Sequence, residues 1–237
     1  RREIRFFYKF YNNYNKIICQ SDDMMNDLVE NFKIKKDKLI KINNPVDFNF
    51  IEEKLENATK PESYREGYKN VVAIGNLSSR KGFDNLLKVF VKLKQHKVLL
   101  HILGDGRDRE MLHQMKLNLG LENVIFHGVQ KNPYPFLKFA DLFVLSSRYE
   151  GFPNVLLEAG ACGTYALANN CKGGIHEIIQ PKINGEISDI ENYEAFAAKI
   201  VEILEQNHDS EAIKNSIQSR FSKEIILDKY FEVLEKI

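Results

Sequence analysis

The segment Asp141–Gly163, DLFVLSSRYEGFPNVLLEAGACG, passes from an apolar run at Leu142–Leu145 through small polar residues to Glu150-Gly151-Phe152-Pro153, and a helical pattern starts at Asn154. Strand, loop and helix start, in that order, build an anion site. The first N–H groups of a helix lack an internal partner, and the helix dipole is positive there. Gly151 lets a ligand approach the backbone. Pro153 fits near the first helical position, where a missing N–H costs nothing. The loop can therefore present free N–H groups to a phosphate. Glu150 and Glu158, eight positions apart, flank it. Phosphate repels a carboxylate, so both suit hydroxyls on either side of the phosphate, as hydrogen-bond acceptors. Hydroxyls, phosphate, hydroxyls is the order of groups in a nucleotide sugar. Solvated or helix-capping glutamates are the alternative reading.

Around this segment the composition is that of an ordinary globular chain: 237 residues, 43% hydrophobic and 28% charged, enough for one large domain or a domain plus a piece of another. The net charge of +1, without a long single-sign block, gives no reason to expect nucleic acid. Cys19, Cys162 and Cys171 have no CxxC spacing, which suggests reduced thiols and a cytoplasmic protein. No apolar run is long enough to cross a membrane. The chain starts at Arg1 in mid-pattern, so an upstream part is expected to be missing.

Upstream, residues 1–16 read as a basic, aromatic amphipathic helix with Ile4, Phe7, Tyr8, Tyr11 and Tyr14 near helical spacing. It suits either an anionic membrane surface or a packing partner. A strand at Ile17–Cys19, a helix capped by Ser21 and running to Phe32, and a strand at Lys38–Ile42 follow. This α/β rhythm without a full sheet reads as the remnant, over residues 1–47, of a nucleotide-fold domain. Residues 48–69 read as a linker with room for a short helix. Strands are then expected at Val71–Ile74, Val98–Leu103, Val124–Phe126, Leu142–Leu145, Tyr165–Ala168 and Gly185–Ser188, with helices between them. That alternation implies a parallel sheet with right-handed crossovers, whose ligands bind at the carboxyl ends of the strands. The domain spans 70–220. Residues 221–237 form a last helix, with Ile225, Ile226, Tyr230, Phe231 and Leu234 seeking a partner either outside the sheet or on their own domain.

Two further loops fall on the carboxyl edge. GNLSSRKG, Gly75–Gly82, joins a strand to a helix and carries Arg80 and Lys81. A departing diphosphate needs positive charge, which Lys81 can supply; a solvated lysine at a helix start is the plain alternative. GDGRDRE, Gly104–Glu110, fails as a dinucleotide fingerprint because Arg109 replaces the third glycine. No His in the chain forms a metal-binding cluster with Cys or carboxylates.

Ser146–Gly163, with Ser147, Glu150-Gly151-Phe152, Glu158-Ala159 and Ala161-Cys162-Gly163, resembles the E-x7-E segment of the family 4 (group 1) glycosyltransferases of the GT-B fold, and the likeness extends loosely over nearly all of the chain. It implies an α/β Rossmann-like parallel-sheet domain with helices on both faces, beside the tail end of the N-terminal Rossmann-like domain. The implied roles are donor-sugar contact for Glu150 and ribose contact for Glu158. Backbone N–H groups near Gly151, Phe152, Asn154 and Val155 would hold sugar and diphosphate. GNLSSRKG resembles the family's G-R-L-x-x-x-K-G element, which implies phosphate binding by Lys81. Asn76 stands where the family usually has arginine, so it can donate one hydrogen bond but no bidentate contact, or Arg80 takes its place. Gly104 would border the base. FHGVQ, Phe126–Gln130, resembles the base-reading segment, which makes Val129 the base contact; core packing is its alternative role. Gly173-Gly174 and Glu177 also match, Tyr165 departs, and His176 is expected at the surface or in packing.

The resemblance implies a retaining enzyme with Glu150 and Lys81 as catalytic residues. It would transfer a hexose or N-acetylhexosamine from a nucleotide sugar, expected to be a UDP-sugar, to a hydroxyl of a surface glycan or lipid-linked acceptor. No metal and no other cofactor is expected. Nucleic acid is not a partner, and peripheral membrane association through the N-terminal domain stays open. The family's acceptor site and catalytic histidine would lie outside this chain, and the last helix would cross back to the first domain. A non-catalytic nucleotide-sugar-binding subunit, favoured by Asn76, and a nucleotide-sugar epimerase of the same fold are the rivals.

Overall fold

A computed structural model describes residues 8–236. Its centre is a six-stranded, all-parallel sheet in the order β5-β4-β3-β6-β7-β8. The strands are β3 (Lys69–Ile74), β4 (Val98–Leu103), β5 (Val124–Gly128), β6 (Leu142–Leu145), β7 (Ala166–Asn169) and β8 (Gly185–Ser188). The inner strands β4, β6 and β7 read as nearly continuous apolar runs because both of their faces are covered. Leu142 and Val144 of β6 join one core, with Phe83, Phe90 and Phe196. Phe143 and Leu145 join the other, with Leu137, Leu156 and Ile175. The period of two along a strand divides one run between two helical layers.

Helices α3 (Phe83–Lys92), α4 (Arg109–Asn118) and α8 (Tyr193–Leu204) line the first face. Helices α2 (Phe48–Leu55), α5 (Tyr134–Lys138), α6 (Asn154–Ala161) and α7 (Ile175–Ile178) line the second. Helix α9 (Ser210–Phe221) reaches both through Ile213 and Ile217. The four-residue α7 is too short to leave a periodic signal in the sequence.

A smaller parallel pair, β1 (Ile17–Cys19) with β2 (Leu39–Lys41), carries α1 (Asp22–Phe32) packed on it through Leu28, and Ile34 just past the helix joins the same cluster. Ser21 caps α1 by accepting from the Met24 N–H at 3.2 Å. Most of the expected helix over 1–16 lies outside the described residues. Within them Tyr8 is helical and a 3-10 helix runs over Lys9–Asn13, ending at the extended Tyr14. The Asn12 amide bonds instead across to the Lys33 carbonyl and the Lys35 N–H, which ties the segment to the end of α1.

The 48–69 segment is more firmly packed than its polarity suggests. Asp47 caps α2 through the Phe50 N–H, Ile51 is buried, and buried Tyr64 donates to the Phe136 carbonyl at 2.6 Å. At the other end, helix α10 (Lys223–Leu234) starts beside Val46, whose N–H bonds the Phe221 carbonyl at 2.8 Å. Packing on the chain itself buries Ile226 and half-buries Ile225; Tyr230, Phe231 and Leu234 stay exposed.

Candidate functional site

The loops after β3, β4, β5, β6 and β7 meet at the carboxyl edge of the sheet, and backbone contacts fix them there. Gly104, at φ +132°, lies so close to the Gly75 carbonyl that a Cβ would stand 2.0 Å from it. The Gly104 N–H bonds Gly128 O at 2.8 Å, and the Leu77 N–H bonds Asp105 O at 2.9 Å. Ser146 Oγ donates to the Lys81 carbonyl at 2.8 Å, and the Arg148 N–H to the Arg80 carbonyl at 2.8 Å. Arg148 also chelates Asp84 at 2.8 and 2.6 Å. The β3 and β6 loops therefore form one rigid cradle.

In that cradle sits Glu150. Its Oε1 accepts from Lys81 Nζ at 2.6 Å and from Ser147 Oγ at 2.6 Å, while Arg80 reaches Oε2 at 3.3 Å. An ionised carboxylate has about four acceptor positions, so these donors leave room on Oε2. The Lys81 stem lies along Gly75, where a Cβ would be 3.4 Å away. Arg80 also stacks over Tyr149, 5.9 Å from its ring centre.

Helix α6 begins just beyond. Pro153 provides no side-chain cap, and the N–H groups of Asn154 and Val155 make no hydrogen bond among the described residues. They point out of the helix start as open donors. Phe152 is buried against Phe221, with ring centres 5.8 Å apart, and against Gly174, so its side chain anchors the loop. Gly151 is exposed. The Asn154 side chain accepts from Asn44 at 2.7 Å.

Glu158, about one turn along α6, faces a cavity of about 200 Å³ shared with Asp47, Phe50, Tyr134 and Asn154. No cation or hydrogen-bond donor engages its carboxylate among the described residues, and burial raises its pKa. The Tyr134 hydroxyl is pushed up to about 12, by burial first and then by the Glu158 charge. An unpartnered, half-buried carboxylate is a costly feature that ligand hydroxyls would relieve.

The remaining residues singled out by sequence are dispersed around this centre. Asn76 is exposed, and its side chain makes no hydrogen bond among the described residues. Val129 is 73% exposed beyond β5, which overturns the core-packing alternative for it. His176 is exposed and bonds Asn170 at 3.0 Å. Among the described residues no group of three His, Cys, Asp or Glu side chains is arranged to hold a metal ion.

Two features lay outside the sequence reading. Tyr134, the first residue of α5, shares the Glu158 cavity, and nothing in its sequence surroundings marks it for that place. Buried His101 pairs with half-buried His127, Nδ1 to Nε2 at 3.0 Å, with His101 Nε2 3.1 Å from Asn70 Oδ1. Their rings stack 5.3 Å apart, next to Tyr64 and Phe136.

A doubly covered parallel sheet with an open helix start and two carboxylates at its carboxyl edge is the architecture of the GT-B glycosyltransferase fold. The chain belongs to the glycosyl transferases group 1 family, whose model matches residues 56–220. It is 33% identical over 195 residues to an uncharacterised glycosyltransferase of Methanocaldococcus jannaschii, covering 80% of this chain and 47% of that protein. It is 34% identical over 169 residues to the lipopolysaccharide core biosynthesis glycosyltransferase LpsE of Rhizobium meliloti, covering 69% of this chain and 49% of that one. The fold matches Anabaena HepE, solved in complex with UDP and glucose, with a TM-score of 0.83 at 21% identity over 100% of this chain and 67% of that chain. The chain thus spans about half the length of the curated relatives it matches.

Proposed function

We propose that this chain is the donor-binding part of a retaining glycosyltransferase that moves a hexose or N-acetylhexosamine from a UDP-sugar to a hydroxyl of a surface glycan or lipid-linked acceptor. The observation that carries the reading is the pairing of two carboxylates of opposite condition around one helix start. Glu150 is engaged by Lys81, Arg80 and Ser147, and Glu158 has no partner in its cavity among the described residues. When a diphosphate reaches the α6 N-terminus, Lys81 and Arg80 have a better anion to face. Their turn toward it frees Glu150 oxygens for sugar hydroxyls. Glu158 accepts the ribose hydroxyls, and exposed Val129 offers its backbone to the base.

As the glycosidic bond breaks, negative charge grows on the leaving diphosphate. Lys81, Arg80 and the open N–H groups of Asn154 and Val155 stabilise it in place, so this reading needs no metal. Asn76 contributes at most one hydrogen bond, and Arg80, already beside Glu150, supplies the second cation. The UDP and glucose held by HepE, and the lipopolysaccharide role in the name of LpsE, support this choice of donor and acceptor class. The reading includes a cytoplasmic location, with peripheral contact to the membrane face. Among the described residues no helix is long and apolar enough to cross a membrane. Residues 1–47 and the apolar face of α10 belong, in this account, with the N-terminal domain.

The reaction occurs between two domains, so this chain should bind donor without turning it over. The test is UDP release from UDP-glucose, UDP-galactose and UDP-N-acetylglucosamine, by this chain and by a version extended with an N-terminal domain, each with lipid-linked acceptor. Release by the extended protein alone is expected. Steady release by this chain would contradict the division of labour. The Asn76 side chain, without a hydrogen bond among the described residues, favours a second reading, a binding subunit without activity. Inactivity of the extended protein both as it stands and with Asn76→Arg, despite donor binding, would support that reading.

A further inference from the structure

Helix α1 belongs to the small β1–β2 unit, yet its first turn is bonded to the two loops that bracket Glu150. Ser21, fully buried, donates from Oγ to the Gly151 carbonyl at 3.1 Å. Asp23 Oδ2 accepts the Gly173 N–H at 2.7 Å. Glu177 Oε1 accepts the Asp22 N–H at 2.8 Å, and its Oε2 takes Asn43 at 3.0 Å and Lys41 at 3.0 Å. The Asp22 N–H is one of the orphan donors of the helix start, and a carboxylate there also meets the positive end of the dipole. All these bonds cross between segments more than a hundred residues apart in sequence.

The Asp23 bond has a consequence for Glu150. The Glu150 N–H bonds the Lys172 carbonyl at 2.9 Å. Its own carbonyl packs so tightly on Gly173 that a Cβ there would stand 2.0 Å away. Gly173 holds φ +116°, a conformation that side chains rarely adopt. The peptide between Lys172 and Gly173 thus backs Glu150 on both of its polar groups, and Asp23 orients that same peptide by taking its N–H. Lys81, Arg80 and Ser147 fix the Glu150 side chain; the 172–173 peptide fixes its backbone.

We propose that Asp23 is a positioning residue for the donor sugar: it holds the Lys172–Gly173 peptide, and through it the backbone of Glu150, so that docking of α1 sets where the Glu150 carboxylate sits. The proposal rests on reading Glu150 as the sugar contact. It assigns Asp23 no contact with the diphosphate or ribose, which are left to Lys81, the α6 N-terminus and Glu158. Loss of the Asp23 bond should therefore weaken recognition of the sugar and spare that of UDP.

The test compares Asp23→Ala and Asp23→Asn in this chain, by amide hydrogen exchange and by calorimetry with UDP, UDP-glucose and UDP-N-acetylglucosamine. In Asp23→Ala the amides of Gly173 and Glu150 should both exchange at least about tenfold faster. UDP affinity should hold within about twofold, while the difference between UDP and the UDP-sugars collapses. Asn keeps an acceptor oxygen and should restore both readouts. Faster exchange at Gly173 with Glu150 still protected would overturn the coupling. Equal weakening of UDP and UDP-sugars, the mark of a merely structural residue, would overturn it too. Absence of nucleotide binding by the wild-type chain would refute the donor reading, and the exchange comparison would still decide whether Asp23 positions Glu150.

Discussion

Lys81 Nζ lies 2.6 Å from Glu150 Oε1, with the lysine side chain 13% and the glutamate 5% exposed. Pairing offsets the cost of burying either charge alone. Lys81→Ala removes one partner and leaves Glu150 with Arg80 and Ser147. We expect a loss of about 2 kcal/mol of stability, a drop of roughly 5 °C in melting temperature. UDP affinity should fall about 10–100-fold, the value of a charged hydrogen bond. Adding Glu150→Gln should recover part of the melting temperature and none of the UDP affinity. Scanning calorimetry and titration read the two effects separately.

Arg80 and Asn76 divide one task unequally. Arg80 reaches Glu150 at 3.3 Å, whereas Asn76 is exposed without a side-chain bond among the described residues. Arg80→Ala should weaken UDP about tenfold, and Asn76→Ala should leave it unchanged. Asn76→Arg should tighten UDP and rescue Arg80→Ala. Equal, small effects of both alanine variants in a calorimetric titration would show that neither side chain meets the diphosphate.

Glu158 links function to stability with a definite sign. Burial raises its pKa above the ordinary 4.5, so the folded chain holds this proton more tightly than the unfolded chain. Its contribution to stability falls as pH rises from about 4.5 through the folded value. Glu158→Gln should therefore melt at or above the wild-type temperature at pH 7, with the advantage fading toward pH 4. The same variant should lose about 10–100-fold in UDP affinity, because the ribose hydroxyls lose a charged acceptor. A variant less stable at pH 7 and unaltered in binding would remove Glu158 from the site.

The His101–His127 pair works in the opposite sense. Burial first, then the neighbouring His127 and Arg65, push His101 down to about 3; burial lowers His127 as well. The unfolded chain takes up protons near 6.5 that the fold refuses, so stability holds above that pH and is lost as pH falls below it. Each group contributes up to about 1.4 kcal/mol per pH unit in that window. With two imidazoles set against one carboxylate, the melting temperature should decline between pH 6.5 and 5. His127→Gln should flatten the decline, as thermal melts across that range would show.

The central sheet was legible because its strands are buried on both faces. Val98–Leu103, Leu142–Leu145 and Gly185–Ser188 form strands with the bounds their sequence suggests. The spacing of Glu150 and Glu158 could be read as well, since both lie within one loop and the helix after it. The condition of each glutamate could not be read. Lys81 reaches Glu150 across 69 positions, and the lack of a partner for Glu158 depends on everything packed around it. The seam from Asp23 to Gly173 spans 150 positions, and the histidine pair hides inside two strands where each residue reads as filler. The expected N-terminal helix is helical from Tyr8 to Asn13 and stops short of residue 16, where the Asn12 amide takes partners at Lys33 and Lys35 that no helical periodicity encodes.

The most direct measurement of the central claim is calorimetric titration of this chain with UDP and GDP, with Glu158→Ala as the control. The account predicts saturable UDP binding that the substitution abolishes and a weaker or absent response to GDP. A folded wild-type sample that binds neither nucleotide, or that binds UDP equally well after Glu158→Ala, would contradict it.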